Sequence, residues 1–255
     1  MPNSFSNSII NSTVSRESAP RSFVKLASFV TSVSSTLNLL QNKFRTLKMW
    51  KTARFLFSCA HNDSKYMKKI AIFASGSGTN AENIIRYFAG SDTIQVALVL
   101  SNKRDAGVLE RARRLNVPAF VFTGEEFDAG EPIIYKLAEY PIDFIVLAGF
   151  LRKIPDKLLR AFPNRIVNIH PALLPKYGGK GMYGRHVHEA VVRAGEHESG
   201  ITIHYIDDHY DEGAIIFQAS CPLSPSDTPD DVARKVHALE YAHYPRVIEQ
   251  VLQSI

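Results

Sequence analysis

The residues best suited to chemistry are an amide and an imidazole two positions apart in residues 168–171 (NIHP), and a carboxylate at Asp211. In an extended strand, residues two apart project from the same face, so Asn168 and His170 should lie side by side. Pro171 cannot donate to a sheet and favours a strand that ends here. An amide that stabilises an oxyanion, a His that moves a proton and an Asp that tunes the His suit transfer of an acyl group. Solvated polar groups in a turn at a strand end are the alternative.

A second candidate site is the glycine-rich turn of residues 75–80 (SGSGTN), which follows the apolar run 70–74. A strand, a glycine-rich turn and a helix in this order point backbone N–H groups at an anion such as a phosphate. Thr79 or Asn80 is expected to cap the helix. The turn matches neither G-x-G-x-x-G nor a Walker motif, because no Lys follows it. A plain turn between a strand and a helix is the alternative.

The elements that must position these residues alternate along the chain. Apolar runs predict strands at residues 70–74, 94–100, 119–122, 143–147 and 165–168, separated by helical patterns. This alternation predicts an α/β fold with a doubly wound, mostly parallel sheet. Residues 200–207 and 214–220 predict antiparallel C-terminal strands, and Thr228-Pro229 opens a last helix with a kink expected at Pro245. Open sheets of this kind bind ligands at the carboxyl ends of their strands, where both candidate sites lie.

The positive charge of the chain is concentrated at its beginning. Residues 1–66 carry nine basic and two acidic side chains, and residues 67–255 are close to neutral. We therefore expect no nucleic-acid binding by the folded part. Residues 1–66 are predicted to be a disordered leader, either an organelle transit peptide or, as we favour, an extension outside the working protein. Residues 67–255 are predicted to be the catalytic domain. A cytoplasmic location is expected, or an organelle if the leader is a transit peptide.

Several function classes are not supported by the sequence. No apolar run is long enough to span a membrane. Cys59 and Cys221 lack metal-ligand spacing, and the histidines lack H-x-x-x-H or H-E-x-x-H spacing, so neither a metal site nor a disulfide framework is expected. His186 and His188 are expected on the surface of a helix. The sequence indicates no particular oligomeric state.

The motifs of residues 67–255, taken as an ordered set, resemble those of the phosphoribosylglycinamide formyltransferases, folate-dependent enzymes of purine synthesis. The resemblance implies transfer of a formyl group from 10-formyltetrahydrofolate, as co-substrate, to the amine of glycinamide ribonucleotide. The segments that carry it are residues 75–80, 101–103, 147–152, 168–171, 173–177, His204 and residues 211–213.

The resemblance also implies a role for individual residues. Asn168, His170 and Asp211 match the catalytic trio of the family, and His204 matches a supporting His. The positions that match the ribonucleotide site are Gly78, Thr79 and Asn80, around the phosphate, and Glu240, at the ribose. The positions that match the folate pocket are Leu147, Leu151, Arg152, Ile154 and, at the seam between the two substrates, Asn168.

Two features depart from the family pattern. Residues 178–184 form a longer and more glycine-rich loop than expected, and His237 stands where a Lys or Gln would contact the phosphate. For formyl transfer we expect Asn168 and a protonated or proton-donating His170 to stabilise the oxyanion. Asp211 is expected to raise the pKa of His170 by its charge.

Other functions share parts of this pattern. A methionyl-tRNA formyltransferase would share N-x-H-P, but a basic C-terminal domain would be expected. A formyltetrahydrofolate hydrolase would share the core, but residues 1–66 do not have the pattern of a regulatory domain. A dinucleotide-binding oxidoreductase is disfavoured by the missing third glycine and by the absence of an acidic residue after the second strand. A non-catalytic nucleotide-binding module would tolerate loss of Asn168, His170 or Asp211.

Overall fold

One mixed sheet organises the chain in the computed structural model, which describes residues 66–255. The predicted leader, residues 1–66, lies outside these residues except for Tyr66. The strands are β1 (Lys68–Phe73), β2 (Ile94–Ser101), β3 (Ala119–Val121), β4 (Phe144–Leu147), β5 (Ile166–His170), β6 (Glu198–Tyr205) and β7 (Ile215–Pro222). Their order is β3-β2-β1-β4-β5-β6-β7, with parallel pairing from β3 to β5 and antiparallel pairing from β5 to β7. The predicted fold class is therefore confirmed.

Helices follow the strands as the sequence predicts, with one addition. They are α1 (Thr79–Tyr87), α2 (Gly107–Arg114), α3 (Gly124–Ala129), α4 (Glu131–Glu139), α5 (Asp156–Ala161), α6 (Arg185–Arg193) and α7 (Pro229–Gln253). The short helix α3 was not predicted, although a capping box between Thr123 and Glu126 marks its start. Thr228 caps α7 as predicted, through a second capping box with Asp231.

Helix α7 continues through Pro245, where a kink was expected. Because Pro245 has no N–H, the carbonyl of Tyr241 loses its usual partner one turn earlier in the helix. The side chain of Asn83 on α1 donates to this carbonyl at 3.0 Å. A hydrogen bond from a neighbouring helix therefore replaces the missing bond. None of the helices within residues 66–255 is long and apolar enough to cross a membrane.

The parallel strands are buried on both faces. Successive residues of β1 project to opposite faces, so Ile72 packs in the core beneath α1, α6 and α7, whereas Phe73 contacts the rings of Phe122, Phe127 and Phe150 on the other face. Burial of apolar area of this extent is the main favourable contribution to folding. The sheet is thereby a rigid support for the loops at its edge.

The strand register brings the candidate site residues together. Phe73 pairs with Leu147, Leu147 with Asn168, and Asn168 with His204, in one row across four neighbouring strands. The parallel strands β1, β4 and β5 therefore end at the same edge. The glycine-rich turn, residues 148–152 and His170 all leave the sheet there.

Candidate active site

A cavity of about 770 Å³ opens at this edge of the sheet. Every candidate substrate-binding, folate-binding and catalytic residue lines it, whereas His204 lies behind Asn168 and is fully buried. The lining residues among these candidates are Gly78, Thr79, Asn80, Leu147, Leu151, Arg152, Ile154, Asn168, His170, Asp211 and Glu240. The structure thus gathers three predicted groups of residues around one space.

His204 fixes the orientation of the Asn168 amide. The Nδ1 atom of His204 lies 2.9 Å from the carbonyl oxygen of Tyr205, which can only accept, so Nδ1 carries the hydrogen and donates. The Nε2 atom is then an acceptor, and the Nδ2 atom of Asn168 donates to it at 3.2 Å. The amide has a second N–H, which no atom of the described residues accepts. This N–H is available to an oxygen in the cavity.

His170 is held as a neutral base next to Asp211. Its Nε2 atom donates to the carbonyl of Tyr177 at 2.7 Å, so its Nδ1 atom is left to accept a proton. Nδ1 lies 3.6 Å from Oδ2 of Asp211, and Oδ1 of the same carboxylate lies 3.7 Å from Nε2 of His204. The backbone N–H of Gly179 donates to Oδ2 at 2.9 Å, which ties the glycine-rich loop to the carboxylate.

Asp211 raises the pKa of His170 as expected, but burial has the larger effect. Burial of the ring lowers this pKa, and the smaller opposing influence of Asp211 does not reverse the direction. The ring is only 3% exposed, and the carboxylate is too distant for a direct hydrogen bond. Burial also lowers the pKa of His204, against the influences of the Tyr205 carbonyl and of Asp211. Both rings are therefore neutral at pH 7.

The glycine-rich turn is built around Gly78. This residue is the N-cap of α1 with φ +76°, and no side chain caps the helix, so the expected cap by Thr79 or Asn80 is wrong. A Cβ atom at Gly78 would lie 2.4 Å from Cβ of Val108, so only glycine fits. The first N–H groups of α1 have no partner within the helix and are free to bind an anion.

Arg111 supports this turn from behind. Its Nε atom donates to the carbonyl of Ser77 at 2.8 Å, and its guanidinium forms an ion pair with Glu82. Arg113 and Arg114 are largely exposed.

Glu240 forms the centre of a second polar group. The carboxylate is almost fully buried, and its Oε2 atom accepts from Nδ2 of Asn80 and from Nδ1 of His237, each at 2.8 Å. The hydrogen bond to Glu240 raises the pKa of His237, which is half exposed. His237 therefore contacts Glu240 directly from the position where a Lys or Gln was expected.

His188 lines the cavity, so the expectation that it lies on the surface is wrong. It is 3% exposed, its ring lies 6.5 Å from that of His237, and burial lowers its pKa. The signal was available, because His188 continues the buried stripe of Val187 and Val191 on α6. His186 is exposed, as expected.

The opposite side of the cavity is more apolar. Leu147 and Ile154 are buried there, while Leu151 is half exposed and its N–H donates to Oγ of Ser75 at 3.2 Å. Arg152 bonds both carboxylate oxygens of Asp128 at 2.7 and 2.9 Å, and its guanidinium lies 5.7 Å from the centre of the Phe127 ring. The unpredicted helix α3 therefore orients Arg152.

One group of possible metal ligands occurs within residues 66–255. Asp207, Asp208 and His209 place ligand atoms within 4.8 Å of one another, and all three are exposed. Exposed carboxylates gather in this way without binding an ion, so the group has no assigned role. This exposed group takes no part in the contacts of Asp211 with His170 and His204.

Comparison with known proteins agrees with this geometry. The model of the formyl transferase family matches residues 68–248. The chain belongs to this family. It is 41% identical over 193 residues to the chloroplastic phosphoribosylglycinamide formyltransferase of Arabidopsis thaliana, a match that covers 73% of this chain and 66% of that protein. It is 37% identical over 191 residues to phosphoribosylglycinamide formyltransferase of Bacillus subtilis, covering 73% of this chain and 95% of that protein.

A solved structure of the same family is also similar. The crystal structure of phosphoribosylglycinamide formyltransferase from Bacillus halodurans has a TM-score of 0.66 and 39% sequence identity, and the match covers 72% of this chain and 95% of that chain. This chain spans just under two thirds of the length of the plant relative but nearly the whole length of the bacterial ones. The resemblance inferred from the motifs is thereby confirmed at the level of the family.

Proposed function

We propose that this chain transfers the formyl group of 10-formyltetrahydrofolate to the amine of N1-(5-phospho-D-ribosyl)glycinamide, in de novo purine biosynthesis. The products are the N2-formyl compound and tetrahydrofolate. The observation that carries the proposal is a single cavity that holds both a cluster suited to acyl transfer and a glycine-rich turn suited to a phosphate. Membership of the formyl transferase family supports the same chemistry.

The two substrates enter from different sides of the cavity. The phosphate of the ribonucleotide binds the free N–H groups at the start of α1, where the helix dipole favours negative charge. Glu240 accepts hydrogen bonds from the ribose. The folate lies against Leu147, Leu151 and Ile154, with Arg152 beside it. The amine and the formyl carbon then meet at Asn168, which lies between the ribonucleotide side and the folate side of the cavity.

In the reaction, the lone pair of the amine forms a bond to the formyl carbon, and the carbonyl oxygen becomes an oxyanion. The free N–H of Asn168 donates to this oxyanion. The attacking nitrogen, now an ammonium, passes a proton to the neutral Nδ1 atom of His170, and Asp211 stabilises the imidazolium that forms. The bond from the formyl carbon to the folate nitrogen then breaks, and this nitrogen takes up the proton. These steps use no metal ion.

The organisation of the chain belongs to the same proposal. Residues 67–255 are the catalytic domain, and the protein acts in the cytoplasm on small-molecule substrates. The Arabidopsis relative is a chloroplastic enzyme by name, and residues 1–66 of this chain are rich in Ser and basic residues. A fluorescent fusion of the full chain tests the location, since an organelle signal would contradict the cytoplasmic assignment.

The test of the reaction is an absorbance assay of 10-formyltetrahydrofolate consumption by the full chain, with and without the ribonucleotide. Turnover only in the presence of the ribonucleotide is expected. Equal turnover without the ribonucleotide would indicate a hydrolase. No turnover by folded protein in either case would contradict the proposal and point to another acceptor.

A further inference from the structure

Two cavity-lining side chains carry buried polar atoms without a partner. Among the described residues, three buried side-chain atoms make no hydrogen bond: Oδ1 of Asn80, Nδ1 of His188 and Oγ of Ser199. Asn80 and His188 line the cavity, and Ser199 does not. A buried donor without a partner is costly, so the enclosed Nδ1 atom of His188 constrains which ring nitrogen carries the hydrogen.

The ring of His188 presents a hydrogen-bond donor to the cavity. Neither of its nitrogens bonds an atom of residues 66–255, and only Nδ1 is fully buried, so Nε2 is the accessible nitrogen. Burial lowers the pKa of His188, and the nearby charge of His237 lowers it further. The ring is therefore neutral and carries one hydrogen. A buried N–H without a partner is rarer than a buried lone pair, which places this hydrogen on the accessible Nε2.

Glu240 presents the complementary acceptor. Its Oε2 atom is occupied by Asn80 and His237, whereas its Oε1 atom has no partner among the described residues and is not enclosed. His188 and Glu240 line the same cavity, and His237 lies between them, with its ring 6.5 Å from that of His188 and its Nδ1 atom 2.8 Å from Oε2 of Glu240. The ligand group at this point must therefore donate to one residue and accept from the other.

We propose that His188 is a further substrate-binding residue, whose Nε2–H donates to a ribose hydroxyl group of the ribonucleotide while Glu240 accepts from the ribose diol. This inference rests on the proposed function. A hydroxyl both donates and accepts, so it satisfies both residues. A phosphate has no hydrogen to give Glu240 and carries the same sign of charge, and an ammonium cannot accept from His188. The pair of residues thus selects ribose over a deoxyribose.

The experiment uses a pair of amide variants in the full chain. In His188→Gln, the amide N–H can reach the place of Nε2, whereas in His188→Asn the side chain is too short. His186→Asn, an exposed His two positions away on α6, is the matched control. For each protein, kcat/KM is measured with the ribonucleotide and with analogues that lack the 2- or the 3-hydroxyl. Calorimetric titration with the ribonucleotide alone gives a Kd that does not depend on turnover.

His188→Asn is expected to raise the KM and the Kd for the ribonucleotide about tenfold, as for loss of one hydrogen bond. The ratio of kcat/KM for the ribonucleotide to kcat/KM for at least one analogue should fall by about the same factor. The KM for the folate should stay within about twofold of the wild-type value, because the folate does not contact His188 in this proposal. His186→Asn should remain close to the wild type, and His188→Gln should lose less of the preference for the ribonucleotide over the analogue than His188→Asn. If His188→Asn does not fold, His188→Phe carries the same expectation.

An unchanged preference for the ribonucleotide over both analogues in these variants would overturn the inference, whether or not KM rises. A His188→Gln variant that loses as much preference as His188→Asn would overturn it as well. Failure of the proposed function looks different, because the wild type itself would then show no turnover that depends on the ribonucleotide.

Discussion

Two groups of similar composition lie at the cavity, with His204 behind its wall, and they differ in electrostatics. The Asp211 cluster contains a carboxylate, two imidazoles and an amide, from Asp211, His170, His204 and Asn168. The Glu240 cluster contains the same groups, from Glu240, His188, His237 and Asn80. In the Asp211 cluster the pKa of both rings is lowered, whereas in the Glu240 cluster the pKa of His188 is lowered and that of His237 is raised.

Distance and burial explain the difference. Asp211 lies 3.6 and 3.7 Å from its two buried imidazoles, and Glu240 bonds the half-exposed ring of His237 at 2.8 Å. A carboxylate near a buried His therefore does not by itself charge the ring, because desolvation opposes it. The Asp211 cluster keeps a neutral base for proton transfer, whereas the Glu240 cluster presents a hydrogen-bonded carboxylate to the cavity and suits binding.

Asn168→Ala should produce the largest effect. Loss of one oxyanion donor typically lowers turnover about 10²–10³-fold, so kcat should fall by this factor with little change in either KM. The control is Asn83→Ala, which removes an amide outside the cavity that bonds the Tyr241 carbonyl. It should lower the melting temperature and leave kcat unchanged. Full activity of Asn168→Ala would show that the Asp211 cluster does not take part in the reaction.

Glu240→Gln should act on binding instead. Hydrogen bonds to a charged group contribute about 1.5–3 kcal/mol, so the KM for the ribonucleotide should rise about 10–100-fold. The kcat value at saturating substrate should stay within about threefold of the wild-type value. This change is much smaller than the loss of turnover expected when an oxyanion donor is removed. Steady-state kinetics separate the two constants. A fall in kcat as large as that of Asn168→Ala would mean that the two clusters do not divide binding from chemistry.

The pH dependence of kcat tests the charge state of His170. The neutral ring is the active form and its pKa is lowered, so activity should persist as the pH falls past about 6.5 and be lost only below this value. Asp211→Asn removes the charge that opposes this lowering, so the acid limb should move to still lower pH, with a reduced plateau. An acid limb centred above about pH 6.5 would contradict this prediction. An acid limb that moves to higher pH in Asp211→Asn would contradict it as well.

A smaller effect is expected on stability. The pKa values of His170, His188 and His204 are lowered in the folded state, so between about pH 7.5 and 5.5 the unfolded chain binds more protons at these residues. The free energy of unfolding should therefore fall over this range, although His237, whose pKa is raised, opposes the trend. Urea unfolding at the two pH values measures the change. Equal or greater stability at pH 5.5 would contradict these directions.

Much of the fold and part of the site follow from local patterns. The apolar runs predict the parallel strands, and the spacing of Asn168 and His170 predicts two side chains at the same strand end. Helix α3 was missed because it is short, although its capping box is visible between Thr123 and Glu126.

Long-range contacts and burial were harder to predict. Residue spacing does not reveal that β6 places His204 beside Asn168, and only the family resemblance linked them. The influence of Asp211 on the pKa of His170 was predicted correctly, but the larger opposing effect of burial was not, because the burial of the ring is not visible in the sequence. For His188, the proximity of two polar histidines suggested a surface, while the apolar stripe of α6 was the better guide.

The most direct test of the account follows the formyl group itself. The full chain is mixed with 10-formyltetrahydrofolate labelled in the formyl carbon and with the ribonucleotide, and the reaction is quenched within one turnover. All of the transferred label is expected in the N2-formyl ribonucleotide, because the amine attacks at Asn168. Label recovered as free formate would contradict the account, since water would then be the acceptor.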